Sequence, residues 1–285
     1  MSALPPTRPA ASRRKQFARR CLLVLALGYG ITLLVLVALE DRLLFHPAPA
    51  ARRWAEPPAG FEVEDVAFQA ADGTPLHGRW FPCRGARGAV LVCHSRAGNL
   101  SLELSADALA GWQREVGVSV FVFDYPGYGH SAGRPSEAGC YAAADAAYDW
   151  LTRRVAARNV LLFGRSLGSA VAVDLASRRP HRALVLVSPF TSIPAVVQRL
   201  YPVLPARALM RNRFDSAAKV SRCPRPLLVV HGTHDHLVPF AEGERLFAAA
   251  NELKRFIPVA DARHDDSVLA GFFPAVRRFL AETAP

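Results

Sequence analysis

Short apolar runs recur along this chain, at Ala89 to Cys93, Val118 to Phe123 (broken only by Ser119), Val160 to Phe163, Ala183 to Val187, Leu227 to Val230 and Phe256 to Val259. A run too short for a helix and apolar at nearly every position suits a strand covered on both faces. Amphipathic stretches lie between them, at Ser101 to Val116, Glu137 to Arg154, Leu167 to Arg178, Ala241 to Asn251 and Ser267 to Ala281. Strand alternating with helix predicts an α/β fold, a mostly parallel sheet flanked by helices and built from right-handed crossovers. Upstream, residues 62–69 and 76–81 alternate apolar with polar around Asp72-Gly73, a hairpin signal. The interval Thr191 to Arg225 is longer than one crossover helix needs, which predicts a short lid at about 191–225.

The N-terminal segment has a different chemistry. Cys21 to Leu39 carries no charge, and as a helix it spans roughly 28 Å, about one hydrocarbon core. Residues 21–39 therefore read as a transmembrane helix behind a basic tail, 1–20. A cleaved signal peptide is the alternative, but its apolar region is shorter and ends near a small-residue site, whereas Ala48-Pro49-Ala50 lies well beyond this run. Six basic residues precede the helix, and Arg42, Arg52 and Arg53 follow it. That bias predicts a single pass with the N-terminus cytoplasmic and the remaining domain on the outer side. Residues 40–60, rich in Pro, Ala and Arg, read as a linker, with the folded domain at 61–285.

The net charge of +11 is concentrated in that tail, where Arg8, Arg13, Arg14, Lys15, Arg19 and Arg20 contribute more than half of it. The scattered remainder, with no RNA-binding signature, does not suggest nucleic acid as a partner. Five cysteines show no C-x-x-C or metal-ligand spacing, and Cys83 and Cys93 sit in apolar runs where packing is expected.

Chemistry enters at Gly164-Arg165-Ser166-Leu167-Gly168, between an apolar strand and an amphipathic helix. In that context G-x-S-x-G lifts a serine hydroxyl out of the sheet on a sharp turn. A serine is a poor nucleophile at neutral pH and needs an imidazole base held by an acid. Asp235 follows the strand LLVVHG and His264 follows the strand RFIPV, so both sit at C-terminal strand ends, where open α/β sheets carry their sites. The order Ser166, Asp235, His264 is that of α/β-hydrolases. The N–H of Leu167 is the first candidate oxyanion donor, and that of Arg96, in the loop after the first parallel strand, is the second. Asp265 and Asp266, too close in sequence to His264 to hold its ring, read as caps of the last helix, and Arg165 as a solvated side chain. His231, His234, Asp235 and His236 offer an alternative metal site, although their spacing matches no established ligand pattern. No metal and no cofactor is expected.

The segments LVCHSRAGNLS, FDYPGYGHSAGRPSE, FGRSLGSAVA, SPFTSI, RFDSAAKV, VVHGTHDHLVP and ARHDD, in that order, resemble the motifs of membrane-anchored α/β-hydrolase-domain proteins of the serine aminopeptidase-like branch. The resemblance spans about residues 60–280. It implies an α/β-hydrolase fold, a Ser166, Asp235, His264 triad, and a small or lipid-like ester or thioester as substrate. The implied reaction is that of an esterase, lipase or thioesterase, with peptidase-type cleavage as a variant. Ser95 and Arg96 stand where that family's loop has Gly and Asn. If the loop requires a positive φ at position 95, a serine resists it, which motivates a second reading as a non-catalytic binding protein of the same fold.

Overall fold

The structure is a computed structural model, and it describes residues 10–266 and 271–283. The chain divides into two units at Leu43–Leu44. The first contains helix α1, Ala10–Ala38. Its stretch Lys15–Ala38 is long and apolar enough to cross a membrane, with Leu22, Leu25 and Leu34 exposed.

The second unit is built on eight hydrogen-bonded strands: β1 Glu64–Gln69, β2 Pro75–Phe81, β3 Ala89–Cys93, β4 Ser119–Phe123, β5 Val160–Arg165, β6 Ala183–Val187, β7 Leu227–Gly232 and β8 Lys254–Val259. Their spatial order is β1-β2-β4-β3-β5-β6-β7-β8. The pairs β1·β2 and β2·β4 are antiparallel and the others parallel. The apolar runs therefore form the parallel strands they predict. The hairpin also forms, closed by Gly73 N–H on Ala70 O at 2.9 Å and by Asp72 accepting from Thr74 N–H at 2.9 Å.

Alternation along each strand explains why those runs are apolar throughout. Ala89, Leu91 and Cys93 of β3, with Leu162 of β5 and Val229 of β7, face one layer, while Val90, Val92, Leu161 and Leu228 face the other. The first layer is covered by α2, Glu137–Thr152, and α3, Leu167–Ala176; the second by α6, Phe272–Glu282, and the turn carrying Trp112. Each buried Val or Leu contributes about 1.5–3 kcal/mol, so a polar residue on either face of these strands would be costly.

Two boundaries differ from the sequence reading, and a third falls on residues outside the described ones. The compact unit begins at Leu44, inside the stretch 40–60 that reads as a linker: Leu44 and Phe45 are buried in the core, and His46–Pro47 forms a two-residue parallel ladder with Ala97–Gly98. So short a pairing has no periodicity to detect. The stretch Ser101 to Val116 is a broken series, Leu100–Glu103, Ala106–Ala110 and a π-helical turn Gly111–Val116. Ser105 restarts the helix there by capping Ala108 N–H. The last helix starts at Phe272, after Gly271 at φ 92°, and the expected start at 267–270 lies outside the described residues. Between β6 and β7 the chain forms α4, Ile193–Leu200, and two single turns, α-helical at Ala206–Leu209 and Ala217–Val220, in the interval expected to form the lid; α5, Phe240–Ala249, follows β7.

Candidate active site

Ser166 directly follows β5 and stands at φ 53°, ψ −120°. A non-glycine residue at positive φ costs on the order of 1–3 kcal/mol and persists only where its surroundings enforce it. Here the Ser166 N–H donates to Val187 O at 3.0 Å, and its carbonyl accepts from the N–H of Ser169 at 2.9 Å and from its hydroxyl at 2.6 Å. Two steps further on, a Cβ at Gly168 would overlap the backbone carbonyl of Cys93, so only glycine lets α3 approach β3 this closely. The turn thus seats Ser166 at the N-terminus of α3, where the N–H of Leu167 occupies the first helical position.

His264 Nδ1 lies 2.7 Å from Asp235 Oδ2. Their two loops continue the pairing of β7 with β8 past the strand ends: Thr233 N–H donates to Val259 O, His234 N–H to Ala262 O, both at 3.0 Å, and Asp261 N–H to the Thr233 hydroxyl at 2.9 Å. The other Asp235 oxygen, Oδ1, accepts from Leu237 N–H at 3.0 Å and Val238 N–H at 2.8 Å. His231 Nε2 sits 2.9 Å from Val238 O and 3.4 Å from Asp235 Oδ2, so its proton is shared between a carbonyl and the carboxylate. Burial pushes the Asp235 pKa upward, but the hydrogen bonds from His231 and His264 and the charge of His264 outweigh it and hold the carboxyl well below the usual range. It is an ionised, oriented acceptor for an imidazole.

Of the histidines considered for a metal, only His231 approaches Asp235. His231 is fully buried, whereas His234 is turned toward Asp261, Nδ1 to Oδ1 3.3 Å. Among the described residues no three His, Cys, Asp or Glu side chains are grouped so as to hold a metal ion.

The loop His94–Asn99 is held through its carbonyls. Ser95 O lies 2.7 Å from His94 Nδ1, His94 O accepts from the Tyr125 hydroxyl at 2.9 Å, and Arg96 O accepts from the Tyr128 hydroxyl at 2.7 Å. Ser95 is not at positive φ; in this loop Gly98 alone is, at 92°. The strain that motivated a non-catalytic reading is therefore absent. Beneath the loop, Asp124 Oδ1 accepts from Leu100 N–H at 2.7 Å and lies 3.6 Å from His94 Nε2, both side chains being fully buried. Burial pushes the Asp124 carboxyl up to about 7 and the His94 imidazole down from its ordinary value. Nothing in the spacing of Asp124 marked it as a partner of His94; both merely follow apolar runs.

Arg165 is not the solvated side chain its position suggests. Its Nε lies 3.2 Å from Glu103 Oε1, its Nη2 3.4 Å from the Ser95 hydroxyl and its Nη1 3.6 Å from Asp265 Oδ1. One guanidinium thus joins the elbow, the His94 loop and the His264 loop. Asp265 is engaged with Arg165, and Asp266 accepts from Arg263 N–H at 3.2 Å, while the cap position of the last helix belongs to Gly271, so neither aspartate caps it. Cys93 is packed as expected, with burial pushing its thiol up.

A family profile described as alpha/beta hydrolase fold matches residues 88–208. An uncharacterised protein of Mycobacterium tuberculosis, Rv2307c, is 42% identical over 86% of this chain and 88% of its own length. The uncharacterised protein YfhR of Escherichia coli K12 is 33% identical over 74% of this chain and 76% of its own. Among solved structures, the Pyrococcus furiosus esterase Pf2001 superposes with a TM-score of 0.67 at 19% identity, over 85% of this chain and 99% of the esterase. An acetyl xylan esterase from Paenibacillus sp. R4 gives 0.63 at 20% identity, over 80% of this chain and 86% of the enzyme. With its strand order, its strained serine elbow and its strand-end acid and histidine, the chain belongs to the α/β-hydrolase fold family.

Proposed function

We propose that the protein is a serine hydrolase that cleaves a carboxylic ester or thioester through an acyl-enzyme intermediate. The observation that carries this reading is the oriented His264–Asp235 pair at the same sheet edge as a serine held in a strained strand-to-helix turn. His264 takes the proton of Ser166 as its Oγ attacks the acyl carbonyl, and Asp235 stabilises the imidazolium that forms. The N–H groups of Leu167 and Arg96 receive the oxyanion. Collapse expels the alcohol or thiol, which takes the proton from His264. Water, deprotonated by the same histidine, then releases the acid and restores the hydroxyl of Ser166.

The substrate is a small or lipid-like ester or thioester, and nucleic acid is no partner. The apolar stretch 21–39 attaches the protein to a membrane in a single pass, the basic residues before it holding the N-terminus in the cytoplasm and the hydrolase domain on the outer side. Reporter fusions at the two ends test that orientation. The catalytic reading is tested with p-nitrophenyl butyrate and a short acyl thioester. Wild type is expected to turn over at least one of them and Ser166→Ala neither; equal activity in the two proteins sinks it.

A further inference from the structure

The residues that follow the short helix Glu40–Leu44 are built into the loop that carries Arg96. The ladder pairs His46 with Ala97 and Pro47 with Gly98. His46 N–H donates to Arg96 O at 3.1 Å, and Ala48 N–H to Gly98 O at 2.8 Å. The loop answers from its far end: the buried Asn99 side chain donates to Ala48 O at 2.8 Å and to Arg53 O at 2.7 Å. Phe45, directly before the ladder, is buried edge-on against Phe214, which fixes where the segment starts.

In a trans peptide the carbonyl and the following N–H point in opposite directions. A donor that fixes a loop carbonyl therefore also aims the next N–H. The Ser95 carbonyl, held by the His94 ring, sets the plane that contains the Arg96 N–H. The plane on the other side of Arg96 is set by its own carbonyl, held by the Tyr128 hydroxyl and by His46 N–H. An oxyanion donor has to be held within about 0.5 Å of its productive position to act. Without the N–H of His46, Arg96 O keeps the Tyr128 hydroxyl and Gly98 O keeps the Ala48 N–H, and the loop loses the one backbone bond from the segment that reaches the Arg96 carbonyl.

We infer that the segment Phe45–Arg53 is a positioning element of the oxyanion loop, so that this part of the stretch 40–60 belongs to the catalytic apparatus rather than to a tether. This rests on the serine-hydrolase reading. His46 and Asn99 act through the Arg96 N–H and touch no substrate. They should therefore affect the stabilisation of the tetrahedral state and leave ground-state binding alone.

The test uses the full chain in detergent micelles. His46→Pro deletes the N–H that reaches Arg96 O. Asn99→Asp deletes both donations to the segment and keeps the oxygen that accepts from Ser101 N–H at 3.0 Å. Each is expected to lower kcat on an activated ester by about 10- to 100-fold with KM within about threefold. The affinity for a boronic acid that forms a tetrahedral adduct on Ser166 should fall by the same factor. If both variants keep wild-type kcat, or kcat falls with no matching loss of boronate affinity, the segment has no positioning role. Should one variant fail to fold, the other decides alone, with Asn99→Gln as a third that retains an amide. A wild-type protein that neither hydrolyses esters nor binds the boronate at Ser166 overturns the hydrolase reading and takes this inference with it.

Discussion

Asp235 Oδ2 and His264 Nδ1 meet at 2.7 Å, although 29 positions separate them in the chain. The contact fixes the Nδ1–H tautomer and leaves Nε2 as the basic nitrogen. Because Asp235 Oδ1 is held by two backbone N–H groups, the carboxylate cannot swing away from the ring. Asp235→Asn keeps the shape and loses the charge, and steady-state kinetics on an activated ester should show kcat reduced by about 10⁴-fold. A loss under about tenfold would mean that the pair does not orient the base.

Asp124 should leave a signature in stability rather than in rate. Its folded pKa, raised by burial to about 7, exceeds the unfolded value of about 4. The folded state therefore holds the proton longer. The resulting stability is complete below pH of about 4 and is lost as pH rises through about 7, at up to about 1 kcal/mol per pH unit. Neighbouring His94, with its pKa lowered, works at the acid end and is present in both proteins compared. The Tm of wild type relative to Asp124→Asn should decline between pH 5 and pH 8. A difference that stays constant across that range refutes the assignment.

Gly168→Ala is expected to destabilise by about 3 kcal/mol or more, because the new Cβ meets backbone carbonyls of Cys93 and His94, which cannot rotate away. Denaturant unfolding measures it. A cost below about 1 kcal/mol would show that α3 can retreat from β3.

Arg165 sits over Glu103, whose side chain is almost entirely buried. Arg165→Met strands that carboxylate and should cost on the order of 2 kcal/mol, discounted for the partial exposure of the arginine. In a double-mutant cycle with Glu103→Gln the two losses should be less than additive. Strict additivity would mean the ion pair contributes nothing.

What the sequence made legible follows from burial. The strands β3, β5, β6 and β7 are covered on both faces, so their apolar runs are continuous and stand out, and the residues after them fall at one sheet edge in a known order. Asp235 could be picked out because it follows such a run, and His264 because it follows the apolar run Phe256 to Val259 of the partly exposed strand β8. The segment after the apolar helix could not, since its ladder is two residues long and its contacts run through backbone atoms, which any composition supplies. Arg165 was likewise opaque: its partners Glu103, Ser95 and Asp265 lie far from it in sequence, and only the closed sheet brings them to it.

Intact-mass analysis after treatment with a fluorophosphonate tests whether Ser166 is the nucleophile. A single phosphonyl adduct on wild type, mapped to Ser166 and absent from Ser166→Ala, with labelling slowed in His264→Ala, is the expected result. No adduct on folded wild-type protein, or an adduct that persists in Ser166→Ala, would show that Ser166 is not the nucleophile.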